Sequence, residues 1–73
     1  MLSANMKRLR SENKLTQADL AKRMGIGRYN IENWERESCS PNPYMIVMLK
    51  RALNCSYDEL LEEGFDEYYA ETK

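Results

Sequence analysis

A chain of 73 residues leaves room for one domain, near the size at which a single hydrophobic core is barely sufficient, so added burial by oligomerisation is expected. Its composition, 42% hydrophobic and 32% charged, is typical of a globular protein. The longest apolar run, residues 44–49, is too short to cross a bilayer, and the first residues contain no apolar stretch of the signal-peptide type. We therefore expect a cytoplasmic protein that does not associate with membranes.

The residues that usually carry metal binding and catalysis are scarce. The sequence has no histidine, and Cys39 and Cys55 are not in a CxxC arrangement, so we expect reduced thiols and neither a metal nor another cofactor. No nucleophile with a nearby base and no phosphate-binding loop is recognisable. The sequence thus predicts a protein that is not an enzyme.

Charge is unevenly distributed along the chain. The formal net charge is −1, but residues 1–55 carry ten Lys or Arg and five acids, whereas residues 56–73 carry seven acids and one lysine. A basic body followed by an acidic tail suits a nucleic-acid partner. Charge alone leaves open the alternative that these residues are ordinary solvated helix faces.

The spacing of apolar residues predicts helices throughout, since no stretch has the two-residue period of a half-buried strand. Helix 1 is expected over about residues 3–12, with Met6 and Leu9 on its apolar face. Helix 2 is expected to begin after Thr16, because Asp19 follows three residues later in a weaker form of the capping box.

A tight turn separates helix 2 from a third helix. Gly25 fits the left-handed residue that ends a helix, and Gly27 can cap the next one. When residues 28–36 are placed on a helical wheel, Ile31 and Trp34 fall on one side. The other side carries hydrogen-bonding side chains: Arg28, Tyr29, Glu32, Asn33 and Arg36. Two helices joined in this way form a helix-turn-helix by geometry.

Two further helices have clear N-terminal signals. Helix 4 is expected to begin after Asn42, with Pro43 at the first helical position, where its missing N–H costs nothing. The apolar residues beyond residue 44 continue at helical spacing, which argues against a buried strand there. Helix 5 is expected to begin after Ser56, with Glu59 completing a full capping box.

Several segments together resemble one known family. They are "LTQADLAKRMGI" (15–26), "IENWE" (31–35), Pro41 and "ALNCSYDELL" (52–61). The combination is similar to the helix-turn-helix domain of the Cro and phage-repressor type, also called the xenobiotic-response-element family, over about residues 6–61. This resemblance implies an all-α fold, a compact five-helix bundle of the lambda-repressor-like type, which we assign to residues 1–63.

The resemblance also implies roles for single residues in binding double-stranded DNA. Helix 3 would enter the major groove, with Arg28 and Asn33 at base edges, since arginine suits guanine and asparagine suits adenine. Tyr29 would touch a thymine methyl group or a phosphate, and Arg36 would lie at the groove edge. Gln17 would anchor a phosphate at the N-terminus of helix 2, where free N–H groups favour an anion.

The family carries an ion pair at the positions of Arg10 and Glu35, which we expect to be partly buried between helices 1 and 3. The sequence also departs from the family pattern. Glu37 stands where a glycine is usual, so the loop after helix 3 is expected to differ. Lys50 replaces a small residue, so its stem is expected to pack along the core, and Tyr29 is bulkier than the usual polar residue.

The last segment, residues 64–73, lies outside the resemblance and forms an acidic, aromatic extension. Phe65, Tyr68 and Tyr69 are spaced i, i+3, i+4 and would share one face of a short helix. This face would either fold back on its own domain or pair with a second chain, which makes the three residues candidate dimer contacts.

The function implied by the resemblance is that of a sequence-specific DNA-binding transcriptional regulator. We expect a repressor of phage, mobile-element or restriction–modification-controller type that binds a two-fold operator as a homodimer. No small-molecule ligand is expected, because the chain has no separate ligand domain. The alternative is an antitoxin or another protein-interaction module that uses the acidic, aromatic tail.

Overall fold

Five helices make up the computed structural model over the residues that it describes, 2–61. They are α1 (Leu2–Glu12), α2 (Gln17–Met24), α3 (Arg28–Glu35), α4 (Pro43–Leu53) and α5 (Tyr57–Leu61), with no strand in this part of the chain. Helix α3 packs on α2 and α1, α4 packs on α2, and α5 packs on α1. The predicted all-α, five-helix architecture is therefore confirmed.

One hydrophobic core lies where all five helices meet. Its buried residues are Met6, Leu9, Leu20, Ala21, Met24, Ile31, Trp34, Leu49, Leu53 and Leu60. Helix α5 has only five residues, too few to be stable alone, so its packing against α1 holds it in place. Leu60 is fully buried there, and the buried side chain of Asn5 donates a hydrogen bond to its carbonyl at 2.9 Å.

The helix starts follow the predicted capping signals. Thr16 and Asp19 form the capping box predicted at α2, with both reciprocal bonds at 3.0 Å. Ser56 and Glu59 form the second box, with bonds of 2.9 and 3.1 Å. The side chain of Asn42 accepts from a backbone N–H in the first turn of α4 at 2.8 Å. Each pair satisfies backbone donors that a helix start otherwise leaves free.

Four of the helices end in the same way, with a residue in the left-handed backbone conformation. The sequence predicted this conformation only at Gly25. A residue with left-handed backbone follows α1, α2, α3 and α4: Lys14 (φ 57°), Gly25 (φ 69°), Glu37 (φ 63°) and Asn54 (φ 52°). At each of them the residue's N–H and that of the next residue bond back to carbonyls of the last turn. Glycine adopts this conformation without strain, whereas a residue with a Cβ does so at a cost of roughly 1–2 kcal/mol.

Glu37, which stands where the family usually has a glycine, adopts the left-handed conformation after α3. Its N–H donates to the carbonyl of Trp34 at 3.2 Å, and the N–H of Ser38 donates to that of Asn33 at 2.9 Å. This is the arrangement in which a glycine is preferred. The chain thus forms a left-handed turn here with a glutamate in the strained position.

The other unusual residue, Lys50, lies half-buried near the end of α4. Its ammonium group lies 5.3 Å from the centre of the Tyr57 ring, a distance suited to a cation–π contact. Lys50 therefore joins α4 to α5.

Candidate nucleic-acid interface

The outer face of α3 presents polar and aromatic side chains in a short row. Ile31 and Trp34 anchor the helix in the core, at 0% and 6% exposure. This packing turns Arg28, Tyr29 and Arg36 toward solvent. Glu32 and Asn33 lie half-buried beside them. These five residues are the ones that the helical wheel placed on the outer face. The arrangement has the size and chemistry of a surface that forms hydrogen bonds to an external partner.

Tyr29 is placed by the turn that precedes α3. Tyr29 is 66% exposed, and its ring lies so close to Gly27 that a Cβ there would come within 2.7 Å of it. Gly27 has an ordinary φ of −74° and makes no side-chain cap, so any preference for glycine here comes from this close approach and not from backbone strain, and a larger residue would have to displace the Tyr29 ring. The bulky Tyr29 is thus accommodated by a residue without a side chain.

Two contacts along α3 hold the outer side chains in place. The Nε of Arg28 lies 2.8 Å from Oε1 of Glu32, four residues along the helix. Arg36 donates from Nη2 to Oδ1 of Asn33 at 2.7 Å. Sequence reasoning considered these residues singly and missed both pairs, although the i, i+4 and i, i+3 spacings are those at which helical side chains meet.

Gln17 lies at the first position of α2, where the N-terminal N–H groups of a helix have no partner within the helix and its dipole is positive. Its half-buried side chain donates from Nε2 to Oε1 of Glu35 at 3.1 Å. The neighbouring capping box holds the backbone of this turn, and the N–H of Thr16 lowers the pKa of the Asp19 carboxyl below its ordinary value. The amide of Gln17 is therefore oriented by a buried partner while the helix start remains accessible.

Arg10 and Glu35 meet between α1 and α3. Arg10 donates from Nε and Nη2 to the two carboxylate oxygens of Glu35 at 2.9 and 3.0 Å, a bidentate pair. Its Nη1 donates to the carbonyl of Leu15 at 3.1 Å. Glu35 is only 3% exposed, and together with Gln17 it joins three helices at one carboxylate. The inner side of α3 is thereby tied to the start of α2.

The candidate dimer contacts, Phe65, Tyr68 and Tyr69, lie outside the described residues. Within residues 2–61, Cys39 and Cys55 are free thiols, and burial raises the pKa of the Cys55 thiol. No group of three His, Cys, Asp or Glu side chains in that range is placed to hold a metal ion. None of the five helices described has the length and apolar character needed to cross a bilayer.

Comparison with known proteins places this geometry in a family. The model of a helix-turn-helix domain family matches residues 4–63. The chain belongs to this family. Repressor protein C2 of Salmonella phage P22 is 34% identical to the helix-turn-helix domain over 62 residues, which are 85% of this chain. The chain spans only 29% of the length of that repressor.

Two solved structures share the fold of this helix-turn-helix domain. The crystal structure of the P22 c2 repressor in complex with a synthetic operator has a TM-score of 0.77 and 34% identity, covering 85% of this chain and 94% of that one. The solution structure of the DNA-binding domain of the same repressor has a TM-score of 0.80 and 33% identity, covering 88% and 84%. These matches confirm the predicted fold and the resemblance to phage repressors, and they agree with the prediction that the chain is not an enzyme.

Proposed function

We propose that this protein is a sequence-specific DNA-binding transcriptional repressor of phage, mobile-element or restriction–modification-controller type. The observation that carries the proposal is the polar row on the outer face of α3, beside the accessible start of α2, in a fold shared with a repressor whose structure contains operator DNA. A recognition helix needs an outer face of this kind to contact base edges in the major groove.

The proposed contacts divide into those that position the protein and those that select sequence. Gln17 and the first turn of α2 bind a phosphate and fix the register of the domain on the duplex. Arg28, in the first turn of α3, binds O6 and N7 of a guanine, and Asn33 binds N6 and N7 of an adenine. Tyr29 contacts a thymine methyl group or a phosphate, and Arg36 lies at the groove edge. The bound protein represses by covering promoter DNA and excluding polymerase.

Binding as a homodimer to a two-fold operator is supported by the size of the domain and by its apolar surface at α5. One α3 helix reads only a few base pairs, and a dimer doubles the site, with half-sites about one helical turn apart. Tyr57 and Leu61, four residues apart on α5, are 42% and 46% exposed, an apolar pair available to a second copy. Phe65, Tyr68 and Tyr69, in the extension 64–73, add candidate contacts to the same end of the chain.

Selection of bound sequences from a random duplex library, with the full chain, tests the proposal. The wild type is expected to enrich a motif with two related halves. Arg28→Ala is expected to lose preference at one position of each half, at a cost of roughly 1–3 kcal/mol, and Asn33→Ala to lose it at a neighbouring position. The absence of any enriched motif with the wild type would contradict the proposal.

Salt dependence provides a separate test of phosphate binding. Residues 1–55 carry ten Lys or Arg against five acids, so the domain displaces counterions from DNA although the chain as a whole is negative. Affinity is expected to fall steeply between about 50 and 200 mM salt. A flat dependence would count against DNA as the partner.

The second candidate function is that of an antitoxin or another protein-interaction module. It is favoured by the seven acids and one lysine of residues 56–73, which suit a basic protein partner. Truncation after Leu61 separates the roles of the extension. If the extension serves dimerisation, the shortened chain sediments as a weaker dimer and binds its motif less tightly. If it serves another partner, both properties are unchanged.

A further inference from the structure

We propose that Glu32 determines specificity by holding Arg28 in one binding geometry, an inference that rests on the proposed function. The starting observation is the contact of 2.8 Å between Nε of Arg28 and Oε1 of Glu32 on the outer face of α3. The side chain of Arg28 is 63% exposed and that of Glu32 is 33% exposed, so Arg28 is the more accessible member of the pair. A partner approaching this face therefore has more access to Arg28 than to Glu32.

The contact determines which edge of the guanidinium lies beside the carboxylate. Arginine can offer two parallel N–H groups to a guanine either from Nε and one terminal nitrogen, or from its two terminal nitrogens. The carboxylate of Glu32 lies beside Nε of Arg28 as an ion pair, so we assign O6 and N7 to the edge formed by Nη1 and Nη2, which is farther from the carboxylate. Glu32 thus favours an end-on approach, because the acceptors O6 and N7 of a guanine that approached Nε would come close to the negative carboxylate.

Holding Arg28 also reduces the freedom that binding must remove. A free arginine side chain carries a large rotamer entropy, and order imposed before binding lowers the cost of binding. The carboxylate further opposes incorrect complexes, because a duplex that draws Arg28 away leaves Glu32 unpaired beside phosphates of like charge. Both effects favour the duplex that accepts Arg28 in its held position.

Asn33 shows the same principle on the next turn of the helix. Its Oδ1 accepts from Nη2 of Arg36 at 2.7 Å, which fixes the amide while the second lone pair of Oδ1 and both Nδ2 hydrogens stay available. Arg28 and Asn33 are thus each held by a neighbour, Glu32 on α3 and Arg36 at the C-terminal cap of α3. Of the four residues in these two contacts, only Glu32 carries a negative charge. Removal of this charge therefore changes affinity in a way that distinguishes Glu32 from the other three.

The test is a cycle of four full-length proteins: wild type, Arg28→Ala, Glu32→Gln and the double variant. Affinity is measured for the selected duplex and for a duplex in which the base pair assigned to Arg28 is exchanged. The ratio of the two affinities reports discrimination, and it is expected to fall about three- to tenfold in Glu32→Gln, a part of what a bidentate contact provides. Affinity for the exchanged duplex should rise, since a negative charge has been removed. In the Arg28→Ala background, Glu32→Gln should raise both affinities equally and leave their ratio unchanged.

A matched control is available on α1. Arg8 and Glu12 form an i, i+4 pair at 3.3 Å, with side-chain exposures of 49% and 57%, away from the outer face of α3. Glu12→Gln removes the same charge from a pair of the same type, and it is expected to leave the discrimination ratio at its wild-type value. Far-ultraviolet circular dichroism of all variants verifies that the helices are intact.

Three results would overturn the inference. One is an unchanged ratio in Glu32→Gln while the wild type selects a motif, which leaves the proposed function standing. Another is an equal loss of discrimination in Glu12→Gln, which would assign the effect to net charge. The third is a loss in Glu32→Gln that persists without Arg28, because Glu32 would then contact a base itself, as a carboxylate can with cytosine. A wild type that selects no motif overturns the proposed function and this inference together.

Discussion

Replacing Arg10 by methionine is expected to destabilise the domain by about 3 kcal/mol, because the buried carboxylate of Glu35 loses its positively charged partner. The substitution keeps the apolar stem of the side chain but removes the two N–H groups that donate to Glu35 at 2.9 and 3.0 Å. Glu35 is 3% exposed, and the amide of Gln17, at 3.1 Å, is then the donor that it retains. Removing one partner of a buried pair costs about 3–5 kcal/mol, and the 21% exposure of the Arg10 side chain places this pair at the lower end. A chain of this length has a free energy of unfolding of roughly 4–11 kcal/mol.

The partner substitution separates charge burial from loss of contact. Glu35→Gln keeps the shape of the side chain, and Arg10 retains the carbonyl of Leu15 at 3.1 Å and partial access to water, so a smaller cost of about 1–2 kcal/mol is expected. In the double variant neither side chain is charged. Its cost should therefore lie below that of Arg10→Met alone, with a coupling energy of about 1–3 kcal/mol between the two positions.

Urea unfolding at neutral pH measures these differences. Trp34 is the only tryptophan and is 6% exposed, so its fluorescence reports directly on the opening of the core beside Glu35. Additive costs, within about 0.5 kcal/mol, would refute the reasoning, since independent sites behave in that way. Equal costs for the two single variants would also refute it, because they would show that the buried carboxylate is not the sensitive partner.

Three further predictions concern single positions. Glu37→Gly is expected to stabilise the domain by up to about 1 kcal/mol in urea unfolding, because relief of left-handed strain exceeds the entropy cost of glycine, and a gain as large in Glu37→Ala would contradict this. The pKa of Asp19 lies below its ordinary 3.8 in the folded chain, so its contribution to stability is present above that pH and lost as the pH falls through the folded pKa. The stability difference between wild type and Asp19→Asn should therefore shrink below about pH 4, and a constant difference would exclude this origin. Gln17→Ala is expected to weaken binding to selected and random duplexes by the same factor, and a change in the selected motif would show that Gln17 takes part in sequence readout.

The start of each capped helix was predictable because capping is local. Thr16 and Asp19, or Ser56 and Glu59, lie three residues apart, and one turn of helix brings them into contact whatever the rest of the chain does. The buried and outer faces of α3 were predictable for the same reason, since a period of 3.6 residues separates Ile31 and Trp34 from their polar neighbours.

The residues proposed to contact DNA came from the family resemblance, and the geometry adds how they are held. The wheel showed Arg28 and Glu32 on one face but not that Nε of Arg28 meets the carboxylate, because side-chain rotamers depend on what surrounds them. Gln17 was expected to anchor a phosphate, and no local pattern indicated that its amide donates to Glu35.

The sequence by itself thus determined the helices, their starts, the apolar faces and the end of α2 at Gly25. Only the tertiary structure decided the left-handed residues Lys14 and Glu37, since neither residue type prefers this conformation and the strain is tolerated because packing fixes where the chain must turn. It also decided the junction of three helices at Glu35, because residues 18 and 25 positions apart meet only when the core has formed. Local interactions can be recognised from a few residues, whereas contacts between distant residues depend on how the whole chain packs.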